Sequence, residues 1–167
     1  FRHIVAASQA CADEVGGGRL DALASSRRIA ERLGADPVIR RLCQTVVPVC
    51  GLLAQAADGL DERDFTAFRS ISSHPEVDQL LVSVDAFRQE ATGLPLAPSE
   101  RDVLLRRYGL YGVRVVGELL RRRPEMTATA MAGALRTASG LPVLIETIER
   151  EFLDRAAVLR ARSALLA

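Results

Sequence analysis

The sequence contains no lysine and no asparagine, so all 22 basic residues are arginines. Without lysine no side chain can form a Schiff base, and no phosphate loop of the G-x-x-x-x-G-K-[ST] type can be built. A coding preference for GC-rich codons accounts for both absences without reference to function. Aromatic residues make up only 4% of the chain, so Leu, Val, Ile and Ala must fill the core that a 49% hydrophobic share allows. The longest uncharged run, Leu42 to Ala57, has 16 residues and contains Pro48; an ordinary membrane span needs about 20. No charge of one sign prevails: the net charge is +1, so no global field favours nucleic acid, and none is expected as a partner. The three cysteines, Cys11, Cys43 and Cys50, are odd in number and come without a secretory signal, which argues against a disulfide framework and for a cytoplasmic, reducing setting. Their spacings with His3 and His74 match no compact zinc pattern, so buried free thiols are expected. The chain opens on Phe1 at an apparent strand without an initiator Met, which reads as the start of a fragment.

What is present falls into two parts. His3 to Ser8 reads as a short buried strand, followed by the Gly16-Gly17-Gly18 loop. Arg19 to Leu33 has helical apolar spacing, Pro37 can open a short helix to Leu42, and Thr45 to Gly51 reads as a second strand in which Pro48 points to an edge. Strand, helix, strand predicts a parallel pair. From Leu52 onward the pattern is helical. Leu52 to Ala57 starts a helix; Asp61 caps another through Ile71, with Asp64 at the capping-box position. Pro75 opens a helix running through Phe87, and Ser99 caps the next, with Asp102 three residues on. Leu110 to Arg123, Met126 to Ala138 and Pro142 to Leu166 complete the series; Leu144, Ile145, Ile148, Phe152, Ala156 and Leu159 share one stripe of the last. The predicted fold class is thus an α/β fragment with at least two parallel strands, followed by a mostly helical region, with helices dominating overall.

Asp13 and Glu14 stand just past the first strand, and ligands of open α/β sheets bind outside the carboxyl ends of strands. A carboxylate there can accept the ring N–H and the exocyclic amine of guanine, each charge-assisted bond contributing roughly 1.5–3 kcal/mol. A backbone N–H in the Cys50-Gly51 turn can meet the base carbonyl. The alternative reading has Asp13 capping a turn, with the glycines supplying positive φ.

The stretch ADEVGGGRLDALASSRRIAERLGADPVIRRLCQTVVPVCGLLAQ, together with YGLYGVRVVGELL and SGLPVLIETIEREFLDRAAVLRARSALLA, resembles actinobacterial dynamin-like GTPases, specifically the C-terminal part of their GTPase domain. In that group an apolar strand runs into an [N/T/S]-[K/R]-x-D guanine motif and E-[IV]-G-G-G. The resemblance implies guanine contacts from Asp13, Cys11, Cys50 and Gly51. Cys11 stands where the motif has a basic residue and Ala10 where it has Asn, Thr or Ser. It implies residues 1–57 as part of a P-loop-type GTPase domain and residues 58–167 as a helical region with the terminal helix of that domain. GTP is the implied ligand, with Mg²⁺ in the parent protein only, since no phosphate loop or Mg²⁺ ligand matches here; the isolated chain is expected to be inactive. Self-association and work at a membrane, on the inner face of the plasma membrane, are further implications.

Other constellations read more plainly. The arginine groups at 27–28, 40–41, 106–107 and 121–123 have acidic neighbours and suggest solvated, ion-paired helix faces, with the last the first candidate for a headgroup patch. Tyr108 and Tyr111 suggest a helix–helix joint. No Ser–His–Asp arrangement is inferable. The competing class is a non-enzymatic helical interaction module.

Overall fold

The computed structural model describes residues 3–8, 22–89, 93–153 and 163–165. The chain is helix-dominated, as its sequence predicts. Strand β1 (His3–Ser8) lies parallel to β2 (Cys43–Val49), with Ile4 opposite Thr45 and Ser8 opposite Val49. Between them run α1 (Ala22–Ala35) and α2 (Pro37–Leu42). The start of α2 follows from two residues: the Asp36 carboxylate accepts the N–H groups of Val38 (2.8 Å) and Ile39 (3.2 Å), and Pro37 occupies the first turn, where its missing donor costs nothing.

Helices α3 (Gly51–Asp58) and α4 (Glu62–Ser72) come next, the second capped by Asp61, which accepts the Asp64 N–H at 2.8 Å. The expected single helix from Pro75 to Phe87 is instead two, α5 (Val77–Leu80) and α6 (Val84–Arg88). Ser83 caps α6 by accepting the Ala86 N–H at 3.0 Å. The break survives burial because Arg114, itself 5% exposed, donates from Nε to Leu81 O (2.6 Å) and from Nη2 to Val82 O (2.7 Å). Those carbonyls, freed by the broken helix, need donors.

Helix α7 (Pro98–Arg122) joins two predicted helices across a kink at Gly109, whose φ of 64° and ψ of 167° are non-helical. Its cap is Ala97 rather than Ser99. Pro98 pre-sets the first turn, and the Glu100 carboxylate accepts the Ala97 N–H at 3.0 Å, the place foreseen for Asp102. Helix α8 (Ala128–Ala138) starts two residues later than expected, on the Thr127 cap. Over the last predicted helix, α9 (Leu141–Ile148) passes into a π-helical turn over Glu149–Leu153 and residues 163–165 are again helical, while residues 154–162 lie outside the described residues.

The core gathers Leu53 from α3, Phe68 and Ile71 from α4, Leu104 and Tyr108 from α7 and Leu135 from α8 around one centre. It therefore runs across the boundary expected near Ala57. The strand layer is fastened to this body at one corner. Gly140, at φ 76°, sits so close to β2 that a Cβ there would lie 2.4 Å from Pro48 O. The Cys50 N–H donates to Ser139 O at 2.8 Å, while the fully buried Ser139 hydroxyl donates to Arg136 O (2.6 Å) and accepts the Leu141 N–H (3.1 Å).

Replacing Gly140 with Ala combines a left-handed backbone with this overlap and is expected to destabilise the fold by at least about 2 kcal/mol. Gly133, inside α8, has open space at its Cβ position, so Gly133→Ala should stabilise by up to about 1 kcal/mol. Urea unfolding of the two variants checks the contrast.

Candidate functional site

The strand ends set the first candidate. Parallel pairing places Ser8 and Val49 side by side. The chain leaves β2 through Cys50, which has an extended backbone and no side-chain cap bond, into Gly51 at the start of α3. Gly51 is exposed, and a Cβ there would meet nothing within 4 Å. The amides of the first turn of a helix have no acceptor within the helix. Cys50 is different: its N–H is already held by Ser139 O and its side chain is 7% exposed. The first amide of this turn on an exposed residue is therefore that of Gly51. Asp13 and Cys11, with Ala10 and the triple-glycine loop, lie outside the described residues. Cys43 and Cys50 are both buried.

A groove of about 430 Å³ runs beside this region, walled by Arg27, Glu31 and Gly34 of α1 and by Gly140 and Val143 at α9. Its floor is β2 from Gln44 to Pro48, so it follows the flank of the strand and does not include the Cys50-Gly51 turn.

A second group of polar side chains is built around the buried carboxylate of Asp64. Asp64 is 5% exposed, and Tyr108, 2% exposed, donates its hydroxyl to Asp64 Oδ2 at 2.7 Å. Arg107 Nη1 lies 2.5 Å from the same oxygen and 3.2 Å from Asp61 Oδ2, and its Nη2 donates to Gly59 O. The Tyr108 ring stands edge-on to Phe68, with centroids 4.8 Å apart and an interplanar angle of 88°. Burial, followed by the hydrogen bond to Asp64, pushes the Tyr108 phenol far above its ordinary range. The Asp64 N–H that Asp61 accepts, helped by Arg107, holds the Asp61 carboxyl below its usual value. Desolvation works against the Arg107 charge, but Asp61 and Asp64 outweigh it and raise its pKa. The cluster ties α4 to α7, and Asp61, Asp64 and Arg107 also line a cavity of about 510 Å³ that Glu100, Val103 and Leu104 close from α7.

Sequence reasoning identified Asp61 and Asp64 as capping residues and the tyrosines as a joint; both tyrosines are buried in the core. It missed the arginines inside. Arg101 is 3% exposed; its Nη1 donates to Phe87 O (3.1 Å) and to Gln89 O, at the end of α6, and its Nε is buried with no partner among the described residues. The available signal was position: Arg101, Leu104, Tyr108 and Tyr111 follow helical spacing, and a cation in an apolar stripe marks a buried one. Of the foreseen headgroup candidate, Arg121 to Arg123, the first two are engaged with Glu118 and Arg121 also with Asp78, while Arg123 is exposed.

Among known proteins, the chain is similar to isoniazid-induced protein IniC from two strains of Mycobacterium tuberculosis, CDC 1551 / Oshkosh and ATCC 25618 / H37Rv. In each it is 35% identical over 167 aligned residues, covering 93% of this chain. The chain spans about a third of the length of these relatives (32%). No family model matches, and no solved structure matches. The similarity corrects the resemblance: what the chain matches is a stretch of isoniazid-induced protein IniC, and the match brings no GTP-binding motif with it, so the chain is not identified as the C-terminal part of the GTPase domain of an actinobacterial dynamin-like GTPase.

The Tyr108–Asp64 bond carries a pH signature. The folded state keeps Tyr108 protonated while the unfolded chain releases that proton above about pH 10, so wild-type stability falls as pH rises past that value. Tyr108→Phe is expected to cost about 1 kcal/mol at neutral pH and to flatten the alkaline slope. On the acid side, the lowered pKa of Asp61 means that its contribution is present above about pH 4 and lost as pH falls further. Urea midpoints measured across pH for both proteins check the two slopes.

Proposed function

We propose that the chain is a segment of a dynamin-like protein that works with guanine nucleotide, and that its strand-end edge faces the base. The observation that carries this reading is the level ending of the parallel pair, Ser8 opposite Val49. From that edge depart both the segment with Cys11 and Asp13 and the turn with Cys50 and Gly51. In this reading Asp13 accepts the guanine N–H groups and Gly51, not the engaged amide of Cys50, donates to the base carbonyl. Cys11 lies alongside the base. The similarity to IniC, and the dynamin-like relationship it supports, favour the same class. The parent protein supplies the Mg²⁺ and phosphate groups of GTP hydrolysis, and it works in the cytoplasm at the inner face of the plasma membrane, with self-association and without nucleic acid.

A second reading, a helical interaction module without nucleotide, is favoured by the outward apolar face of α9, where Val143, Ile145 and Ile148 are 51%, 46% and 41% exposed.

Calorimetric titration with GDP separates the two. Asp13→Ala should weaken binding at least about tenfold, the equivalent of one lost charge-assisted pair; equal binding by both proteins defeats the nucleotide reading. The purified 167-residue chain should show no GTP turnover, because the phosphate loop is not in its sequence.

A further inference from the structure

The cavity of about 510 Å³ between α4 and the first half of α7 has the size of a small-molecule site. Asp61 and Asp64 meet Arg107 at one end of it, while Arg63 reaches Glu100 (3.0 Å) nearer the start of α7. The room between the helices follows from side-chain size. The face that α4 turns to the cavity carries Thr66, Ala67 and Ser70 at helical spacing, all too short to fill the space opposite Val103 and Leu104. Leu96, just before α7, extends the apolar wall.

One polar atom of this wall is unspent. Asp64 is only 5% exposed, and both donors that reach its carboxylate, Tyr108 and Arg107, meet the same oxygen, Oδ2. Oδ1 has no partner among the described residues. It is not sealed off either: the fully buried side-chain polar atom left without a partner among those residues is Arg101 Nε. The little surface that Asp64 keeps therefore opens on the cavity it lines. A carboxylate oxygen accepts and does not donate, so an N–H or O–H group completes it. The α4 hydroxyls are acceptors here as well, because Thr66 spends its proton on Glu62 O (2.8 Å) and Ser70 on Thr66 O (3.3 Å). Three carboxylates, Asp61, Asp64 and Glu100, line the cavity with two guanidiniums, Arg63 and Arg107. One further positive charge balances them. We propose that this cavity binds a small organic cation, an amine or amidine whose charged N–H group bonds Asp64 Oδ1 and whose apolar body rests on Leu96, Val103 and Leu104. The charge-assisted bond selects the cation, and the apolar wall selects an organic body. The site uses no residue of the strand-end edge, so the guanine reading and this one fail separately.

Three ligands that share one ring and differ in charge test it: benzamidine, benzamide and benzoate, each titrated into the 167-residue chain at neutral pH and followed by amide NMR shifts. Benzamidine should bind at least about tenfold more tightly than the other two, with the shifts centred on Ala67, Ser99 and Val103. Asp64→Asn should abolish that preference. Because Asp64 also holds Arg107 and Tyr108, a second variant guards against loss of the fold. Ala67→Leu fills the cavity from the α4 side without touching those bonds, and should weaken benzamidine at least about tenfold while circular dichroism stays that of wild type. Benzamidine that binds no more tightly than benzamide overturns the proposal. So does a folded Ala67→Leu chain that binds it as wild type does, and so do shifts confined to residues outside the cavity wall.

Discussion

The corner between α8 and α9 is the point at which the small sheet is joined to the helical body. Three residues make it: Ser139 accepts the Cys50 N–H, Gly140 lets the backbones of the corner and of β2 approach, and Pro48 presents the carbonyl they approach. No side chain larger than hydrogen fits at Gly140, and no residue but glycine adopts its backbone at little cost. The position of α3 follows, because its first residue succeeds Cys50, and with α3 goes one wall of the core. The start of α3 therefore owes its position to a turn far along the sequence.

Helix α7 is the second organising element. Its two halves take different directions at Gly109, where a Cβ would press to 3.3 Å on Leu52 Cδ2. Each half sends one buried arginine into the carbonyl end of a short helix: Arg101 to α6 and Arg114 to α5. Carbonyls at a helix end carry the negative end of its dipole, which suits a guanidinium taken out of water. A continuous helix over residues 77–88 would withdraw these acceptors and leave cations buried among apolar groups. The broken helix and the buried arginines therefore require each other.

That mutual dependence explains what could be read from the sequence and what could not. The Asp36-Pro37 and Asp61 starts were legible because each is decided within four residues, by a carboxylate and the amides it reaches. The Ser99 start was misplaced although it is local, because Pro98 imposes its φ one residue earlier. The 77–87 break was illegible because its cause, Arg114, lies outside the segment. The apolar stripe from Leu144 onward was real in its periodicity, but periodicity does not say which face is covered, and here Ile145 and Ile148 face outward. For the site, the sequence located the strand-end edge; it could not show that the Cys50 amide is engaged, since Ser139 becomes its neighbour only through the fold. Asp13 and Cys11 lie beyond the described residues.

Pro48 has a consequence beyond the corner. In an extended strand a residue's nitrogen and carbonyl project to the same side, and the Pro48 carbonyl faces Gly140, on the flank away from β1. The missing donor therefore falls on the outer margin of the sheet, and the next position on that margin, Cys50, is capped by Ser139. A foreign strand seeking to extend the ladder finds its last rungs absent. The end of the β2 margin is thereby blunted against main-chain zippering, the route that leads to insoluble deposits.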